Sequence, residues 1–201
     1  MHISEGVLSG PVLVSGMAFA TAGVAVGLKK LDYNRIPQTG ILAAAFFIAS
    51  LIHIPIGPSS VHLILNGILG LLLGWSAFPA IMVALILQAV FFQFGGITTL
   101  GINTLIMALP AVLCYFLFRN MINGKHSIAF IAAFSCGFIS VFFGAVLVGL
   151  VLIFTKEDFI KVATLTVAVH FPVMLIEGII TAFCVAFLRR VQPAILYSYS
   201  E

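Results

Sequence analysis

Long apolar stretches constrain this chain more than any other feature of its sequence. Of its 201 residues, 62% are apolar and only 7% are charged, whereas about 25% are charged in an ordinary soluble domain. The stretches reach the length of about 20 residues that a helix needs to cross a bilayer. Their apolar character is continuous, unlike the alternating pattern of a membrane β-barrel. The sequence therefore predicts an all-α, polytopic membrane protein.

A single integral membrane domain is predicted over residues 1–201, with seven membrane-spanning helices packed as a bundle. Polar runs and clusters of glycine and proline separate the helices. The third stretch is the shortest and contains glycine, so we expect a tilted helix with His62 at its start and Asn66 one turn later. The predicted spans are residues 7–28, 36–56, 61–75, 78–94, 104–118, 128–154 and 162–188.

The distribution of lysine and arginine predicts the orientation of this bundle. With the N-terminus outside, the outer segments contain only Lys156 and Lys161, and the other seven of the nine basic residues lie in cytoplasmic segments. This bias follows the positive-inside rule, so we expect the C-terminus inside. No basic residue precedes Lys29, whereas a cleavable signal peptide begins with basic residues. We therefore expect residues 1–6 to remain as a short segment ahead of the first span.

A few ionisable or metal-ligating side chains lie in or beside the spans, where each needs a reason. In the predicted orientation, four histidines from separate segments lie toward the outer face. Imidazoles without thiolates suit nickel, cobalt, copper or zinc better than magnesium or calcium. Each lone histidine also has a structural interpretation, as a packing residue hydrogen-bonded to a carbonyl, which we favour for His53 and His170. The whole set is His2, Glu5, His53, His62, Asn66, His170 and Glu177.

Met1 and His2 together offer a more specific chemistry. A free α-amine, the amide nitrogen of His2 and the ring Nδ1 of His2 can close two adjacent chelate rings on one ion. With the amide deprotonated, these nitrogens occupy three corners of a square plane, and a further imidazole would complete it, as Ni(II) and Cu(II) prefer. A helix start at His62 would place partial positive charge beside the cation, which a deprotonated amide would offset. A histidine at position 2 is equally consistent with chance.

Four segments of the sequence carry a pattern that resembles a known family. They are Met-His-Ile-Ser-Glu-Gly at residues 1–6, Gly-Pro-Ser-Ser-Val-His-Leu at 57–63, the glycine-rich residues 94–103, and Glu-Gly-Ile-Ile-Thr at 177–181. On these residues the chain resembles the CbiM/NikM family, the substrate-specific (S) components of energy-coupling factor transporters for cobalt and nickel. The resemblance extends over essentially the whole chain.

The resemblance implies a metal site at the outer face of a seven-helix bundle. Its ligands would be the Met1 amine, the amide nitrogen and ring of His2, and the ring of His62. The loop at residues 95–103 would lie over this site, with Asn103 fixing the loop or a ligand, and Glu177 would hold helices together or orient His170. Whether His53 or His170 also touches the metal stays open. The residues expected around the ligands are His53, Ser60, Asn66, Asn103, His170 and Glu177.

The resemblance also implies partners and a location. Members work with a transmembrane coupling (T) component, ABC-type ATPase subunits and often a small accessory membrane subunit, in the cytoplasmic (inner) membrane of prokaryotes. This sequence has no phosphate-binding Gly-x-x-x-x-Gly-Lys loop, so we expect no enzymatic activity of its own, no cofactor besides the transported Co(II) or Ni(II), and no nucleic-acid binding. Small residues in the first span permit close contact with a partner or with neighbouring helices; they are Gly16, Ala20, Gly23 and Gly27.

Two other functional classes remain open. A stand-alone secondary transporter would need an acidic pathway, for which Glu177 is the mid-membrane carboxylate. An intramembrane metalloenzyme would use His53, His62 and His170, but the sequence has no His-Glu-x-x-His pattern. Nickel and cobalt are not distinguished, although a plane of four nitrogens favours nickel geometrically.

Overall fold

The computed structural model describes residues 2–51, 53–56, 59–156 and 159–197, with the side chains of 53–56, 59–61 and 197 not described. The described chain is a bundle of helices, which confirms the predicted all-α membrane fold, and it also contains one short β-hairpin. Seven of its helices have eight or more residues, and an eighth is a single turn. They are α1 (Gly10–Lys29), α2 (Ile36–Ala49), α3 (Asn66–Leu73), α4 (Ala77–Phe92), α5 (Leu100–Ile122), α6 (His126–Thr155), α7 (Ile160–Val191) and α8 (Ala194–Tyr197).

Five helical segments within the described residues are long and apolar enough to cross a membrane. They are α1, α5, α6, α7 and the continuous segment Asn66–Phe92, which consists of α3, a 3-10 turn at Gly74–Ser76 and α4. Gly74 has a φ of 52°, a left-handed conformation that interrupts the helix at this point. The chain is thus a multi-pass membrane protein in which α2 and α3 are shorter than the predicted spans.

The second and third predicted spans are wrong where they meet. The helix α2 ends at Ala49, and the chain then forms the antiparallel strands β1 (His53–Ile56) and β2 (Ser59–His62). Isoleucine and valine in this stretch favour strands, and Pro55 disfavours a helix interior. As a result His62 ends a strand rather than beginning a helix, and α3 begins only at Asn66.

The short helix α3 lies at the centre of the bundle, and all eight of its residues are buried. Its glycines allow this position because a Cβ at Gly70 would lie 2.2 Å from the carbonyl oxygen of Ala111 in α5. A Cβ at Gly67 would lie 2.6 Å from the Cα of Gly137 in α6. Because α3 follows directly after the hairpin, this packing fixes the chain that leads away from His62.

The small residues of α1 face neighbouring helices of the same chain. Gly16, Gly23 and Gly27 are buried, and a Cβ at Gly16 would clash with Ile102 of α5 while one at Gly23 would clash with Phe78 of α4. The opposite side of α1 carries exposed apolar residues such as Val14 and Phe19, as expected of a surface in contact with lipid. The small-residue spacing is therefore explained by packing within the bundle.

Candidate metal centre

The first residues of the chain are held inside the end of the bundle by Asn103 of α5. Its Oδ1 accepts a hydrogen bond from the backbone N–H of Ile3 at 2.9 Å, and its Nδ2 donates to the carbonyl of Ile3 at 3.1 Å. The same Nδ2 also donates to the hydroxyl of Thr99 at 3.1 Å. Ile3 is fully buried. One asparagine side chain therefore fixes the backbone immediately after His2, whereas the resemblance implied only that Asn103 would fix the loop or a ligand.

Glu5 closes the loop at residues 93–99 onto this N-terminal segment. Its backbone N–H donates to the carbonyl of Gly95 at 3.0 Å, and its Oε1 accepts from the N–H of Thr98 at 2.9 Å and from the Thr98 hydroxyl at 3.1 Å. The backbone N–H of Thr98 lowers the pKa of the Glu5 carboxyl below its ordinary value of 4.5. Gly96, at a φ of 125°, leaves no room for a side chain because its Cβ would lie 2.0 Å from the Cγ of Glu5.

The side chains of His2 and His62 meet beneath this loop. Their rings stack with centroids 4.5 Å apart and an interplanar angle of 29°. Both residues are buried, with 4% and 3% of their surfaces exposed. They come from the N-terminal segment and from the end of β2, two elements that are 60 residues apart in the chain. A divalent metal ion can bind between two buried imidazoles that lie in contact.

The hydrogen bond made by His62 determines which of its nitrogens can bind a metal. Nδ1 lies 2.9 Å from the carbonyl oxygen of Leu63, so Nδ1 is the protonated nitrogen and Nε2 carries the lone pair. Nε2 has no hydrogen-bond partner among the described residues, although buried polar atoms are normally paired. Burial lowers the pKa of this imidazole, which precedes the membrane-spanning segment, well below its ordinary value of 6.5. A neutral ring with an unpartnered lone pair is suited to a metal.

His2 makes the complementary contact with Gln88 of α4. Its Nε2 lies 2.7 Å from the Oε1 of Gln88, and the Gln88 amide nitrogen donates to the hydroxyl of Ser50. Gln88 and Ser50 are fully buried, and neither was singled out from the sequence. The signal that could have found them is a polar side chain inside otherwise continuous apolar helices, the same criterion that singled out Glu177.

Glu177 of α7 caps the start of α3. Its Oε1 accepts from the backbone N–H of Leu65 at 2.7 Å and from that of Ile64. Leu65 holds a left-handed backbone, with a φ of 58°, and its apolar side chain offers no cap. The carboxylate therefore satisfies the N–H groups at a helix N-terminus and faces its partial positive charge. The positive end of the helix is therefore not at His62, where the sequence predicted it, because the helix begins four residues later and the Glu177 carboxylate faces its start.

The structure does not join Glu177 to His170. The Nδ1 of His170 lies 2.7 Å from the carbonyl of Thr166, one turn earlier in α7, and no hydrogen bond joins it to Glu177 in the described part of the chain. Several buried polar atoms of this region have no described partner, namely His170 Nε2, Glu177 Oε2, Thr181 Oγ1 and both amide atoms of Asn66. Within the described residues, no three His, Cys, Asp or Glu side chains form a metal-binding group.

For three of the predicted site residues the structure describes only the backbone or nothing at all. Met1 lies outside the described residues, and for His53 and Ser60 only the backbone is described. The register of the hairpin pairs His53 with His62 and Ser60 with Pro55. The predicted set is thus divided, with His2, His62 and Asn103 brought together under the loop, Asn66 and Glu177 placed at the start of α3, and His170 held within its own helix.

Comparison with known proteins gives a consistent family. The family model described as the cobalt uptake substrate-specific transmembrane region, CbiM, matches residues 2–195. A Haemophilus influenzae protein provisionally named as a metal transport protein is 41% identical over 199 residues, covering 98% of this chain and 97% of that protein. The cobalt transport protein CbiM of Sorangium cellulosum is 30% identical over 212 residues, covering 98% and 94%.

The fold has a counterpart among solved structures. A crystal structure of a transition metal transporter superposes with a TM-score of 0.78 and 26% sequence identity, covering all of this chain and 99% of that one. The match of the family model over nearly the whole length, together with these relatives, shows that the chain belongs to the CbiM family.

Proposed function

We propose that this chain captures Co(II) or Ni(II) at the outer face of a prokaryotic inner membrane for import into the cell. The observation that carries the proposal is the buried stack of His2 and His62, in which the neighbouring hydrogen-bond acceptors hold the protonated nitrogen of each ring. The lone pairs are thereby assigned to Nδ1 of His2 and Nε2 of His62. The names of the relatives, which include a cobalt transport protein and a transition metal transporter, support the same substrate class.

The proposed ligands are four nitrogens. Nδ1 is the ring atom of His2 that closes a chelate ring with the residue's own amide nitrogen, and the amine of Met1 closes the adjacent ring. Nε2 of His62 completes the set. Neutral imidazoles and a deprotonated amide suit divalent nickel or cobalt, and the planar arrangement suits nickel in particular. The bonds from Asn103 to Ile3 hold the chelating segment in place before the metal arrives.

The energy for import is proposed to come from partners. The chain would act as the substrate-binding subunit of an energy-coupling factor transporter, with a T component, ABC-type ATPase subunits and a small accessory membrane subunit. The absence of a phosphate-binding loop from the sequence agrees with this division of labour. The alternative, a stand-alone secondary transporter, would use Glu177 to carry a coupling ion. Its Oε1 already accepts two backbone N–H groups at a helix start, which favours a structural role.

The N-terminal amine provides the sharpest experiment. One alanine added before Met1 moves the amine away from the His2 amide and breaks the first chelate ring. We expect the extended protein to lose Ni(II) and Co(II) binding in titrations of the purified chain while its thermal unfolding stays unchanged. His62→Ala should have the same effect, and His126→Ala, at an exposed histidine, should have none. Unchanged affinity in the extended protein would contradict the proposed site.

A further inference from the structure

We propose that Ser50 and Gln88 form a relay that sets the tautomer of His2 and so makes them positioning residues for metal capture. The proposal rests on the function proposed above and deepens it. Ser50 follows the end of α2, Gln88 lies in α4, and His2 belongs to the N-terminal segment, so the relay joins three separate elements. Its direction follows from the hydrogen atoms that each group possesses.

The relay starts at the hydroxyl of Ser50. This hydroxyl donates to the carbonyl oxygen of Phe47 at 2.9 Å. A hydroxyl has one hydrogen, so once it is given to Phe47 the oxygen can only accept. The Gln88 amide next to it therefore presents its NH₂ group to Ser50, as the structure shows. The orientation of the amide is thus determined by its neighbours.

The second step passes from Gln88 to His2. With the NH₂ group directed at Ser50, the carbonyl oxygen Oε1 faces the Nε2 of His2 at 2.7 Å. A carbonyl oxygen only accepts, so Nε2 must carry the hydrogen. In the neutral ring the lone pair is then on Nδ1. The opposite tautomer would place the lone pair of Nε2 against the lone pairs of Oε1, in a site where burial strengthens the repulsion.

The position of the proton on the His2 ring determines whether that ring can join the chelate. Nδ1 is the ring nitrogen that can join the His2 amide on the same metal ion, and it must be unprotonated to do so. A ring that carried its proton there would have to change tautomer before it could bind. Groups that orient a metal-binding histidine in this way change metal affinity by about 10- to 100-fold when they are removed. Ser50 and Gln88 are fully buried among apolar helices, where a polar pair needs such a purpose.

The experiment compares two buried serines. Ser50 and Ser140 are both fully buried, and the hydroxyl of each donates to the backbone carbonyl three residues earlier at 2.9 Å. Ser50→Ala removes the acceptor of the Gln88 amide, whereas Ser140→Ala removes a matched hydroxyl outside the relay. We expect Ser50→Ala to weaken Ni(II) binding up to about tenfold, and Gln88→Met, which keeps the shape but loses the acceptor, to weaken it by about 10- to 100-fold. Ser140→Ala should bind as the native chain does, and Ser50→Thr, which keeps the hydroxyl, should restore binding.

A second readout measures the tautomer directly. Nitrogen NMR of histidine-labelled, metal-free protein distinguishes protonated from unprotonated ring nitrogens. We expect His2 to carry its proton on Nε2 in the native chain and in Ser140→Ala, and to populate both tautomers in Gln88→Met and Ser50→Ala. If Gln88→Met does not fold, Ser50→Ala decides. The relay is overturned if Ser50→Ala matches Ser140→Ala in both affinity and tautomer. Failure of the native chain to bind either metal would instead overturn the proposed function, and the NMR comparison would still test the relay.

Discussion

Two buried polar clusters adjoin His62, and they differ in how completely their hydrogen bonds are made. The first, which we call the relay cluster, consists of His2, Gln88 and Ser50. Gln88 is hydrogen-bonded to both of the others, and the Ser50 hydroxyl donates to a backbone carbonyl. In the second, the cap cluster, Glu177 holds two backbone N–H groups, but its Oε2 and both amide atoms of Asn66 lack partners among the described side chains.

The difference distinguishes the groups that prepare a metal ligand from the groups that stabilise the fold around it. The bonds that run from Ser50 through Gln88 to Nε2 of His2 hold the imidazole in one arrangement, which suits a ligand that must be ready before the metal arrives. Buried polar atoms that lack a protein partner are typically bonded to buried water. We therefore expect changes in the relay cluster to act on metal affinity and changes in the cap cluster to act mainly on stability.

The largest effect is expected at Glu177. Glu177→Leu leaves the N–H groups of Ile64 and Leu65 unpaired and the start of α3 uncapped, which should cost about 3–5 kcal/mol of unfolding free energy. Glu177→Gln keeps an acceptor for these groups and should cost about 1 kcal/mol. Thermal unfolding in detergent compares the two variants. Equal unfolding temperatures for them would show that the carboxylate does not cap the helix.

The next effect is expected at Asn103. Asn103→Leu removes both hydrogen bonds to the backbone of Ile3, so the chelating segment loses its fixed position and metal affinity should fall about 10- to 100-fold. Titration with Ni(II) measures this loss. Asn120→Ala, at an exposed position of the same helix, is the matched control and should bind normally. A loss of the same size in both variants would assign the effect to α5 in general.

Gly96 tests the loop that closes over the segment. Gly96→Ala combines a φ of 125° with a Cβ placed 2.0 Å from the Glu5 side chain, so the loop must shift and metal affinity should fall by about tenfold, roughly 1.4 kcal/mol. Gly40→Ala is the control, because its Cβ would meet nothing within 4 Å in a helix, where alanine is favoured over glycine. Comparable affinity of the two variants would mean that the loop does not bear on the site.

The smallest effect concerns acid. The pKa of Glu5 in the folded protein is lower than its ordinary value of 4.5, so its bonds to Thr98 contribute fully above that value and are lost as pH falls through the lower pKa. The loop should therefore open as pH falls through the lowered pKa of Glu5, which hydrogen exchange at the Thr98 amide would report. Glu5→Gln should remove this pH dependence. An opening that persists unchanged in Glu5→Gln would have another cause.

How far the sequence predicts this molecule depends on the range of the interactions involved. The helices α1, α5, α6 and α7 follow from apolar length alone, because a bilayer demands it. The β-hairpin and the left-handed Leu65 did not follow from local pattern, and the N–H of Leu65 bonds to Glu177, 112 residues away. Local patterns could not reveal that Gln88 faces His2, because 86 residues separate them. The resemblance, in contrast, implied that His2 and His62 bind one metal ion; the structure brings their rings into contact, and the shared metal stays a prediction.

X-ray absorption at the metal edge tests the central claim most directly. The purified chain, loaded with one equivalent of Ni(II) and carrying its native N-terminus, should show a first coordination sphere made of nitrogen, with scattering from two imidazole rings. His62→Ala should retain the scattering of one ring only, and His126→Ala should retain both. A sphere that contains sulfur, or an imidazole signal that His62→Ala leaves unchanged, would contradict capture of the metal between His2 and His62.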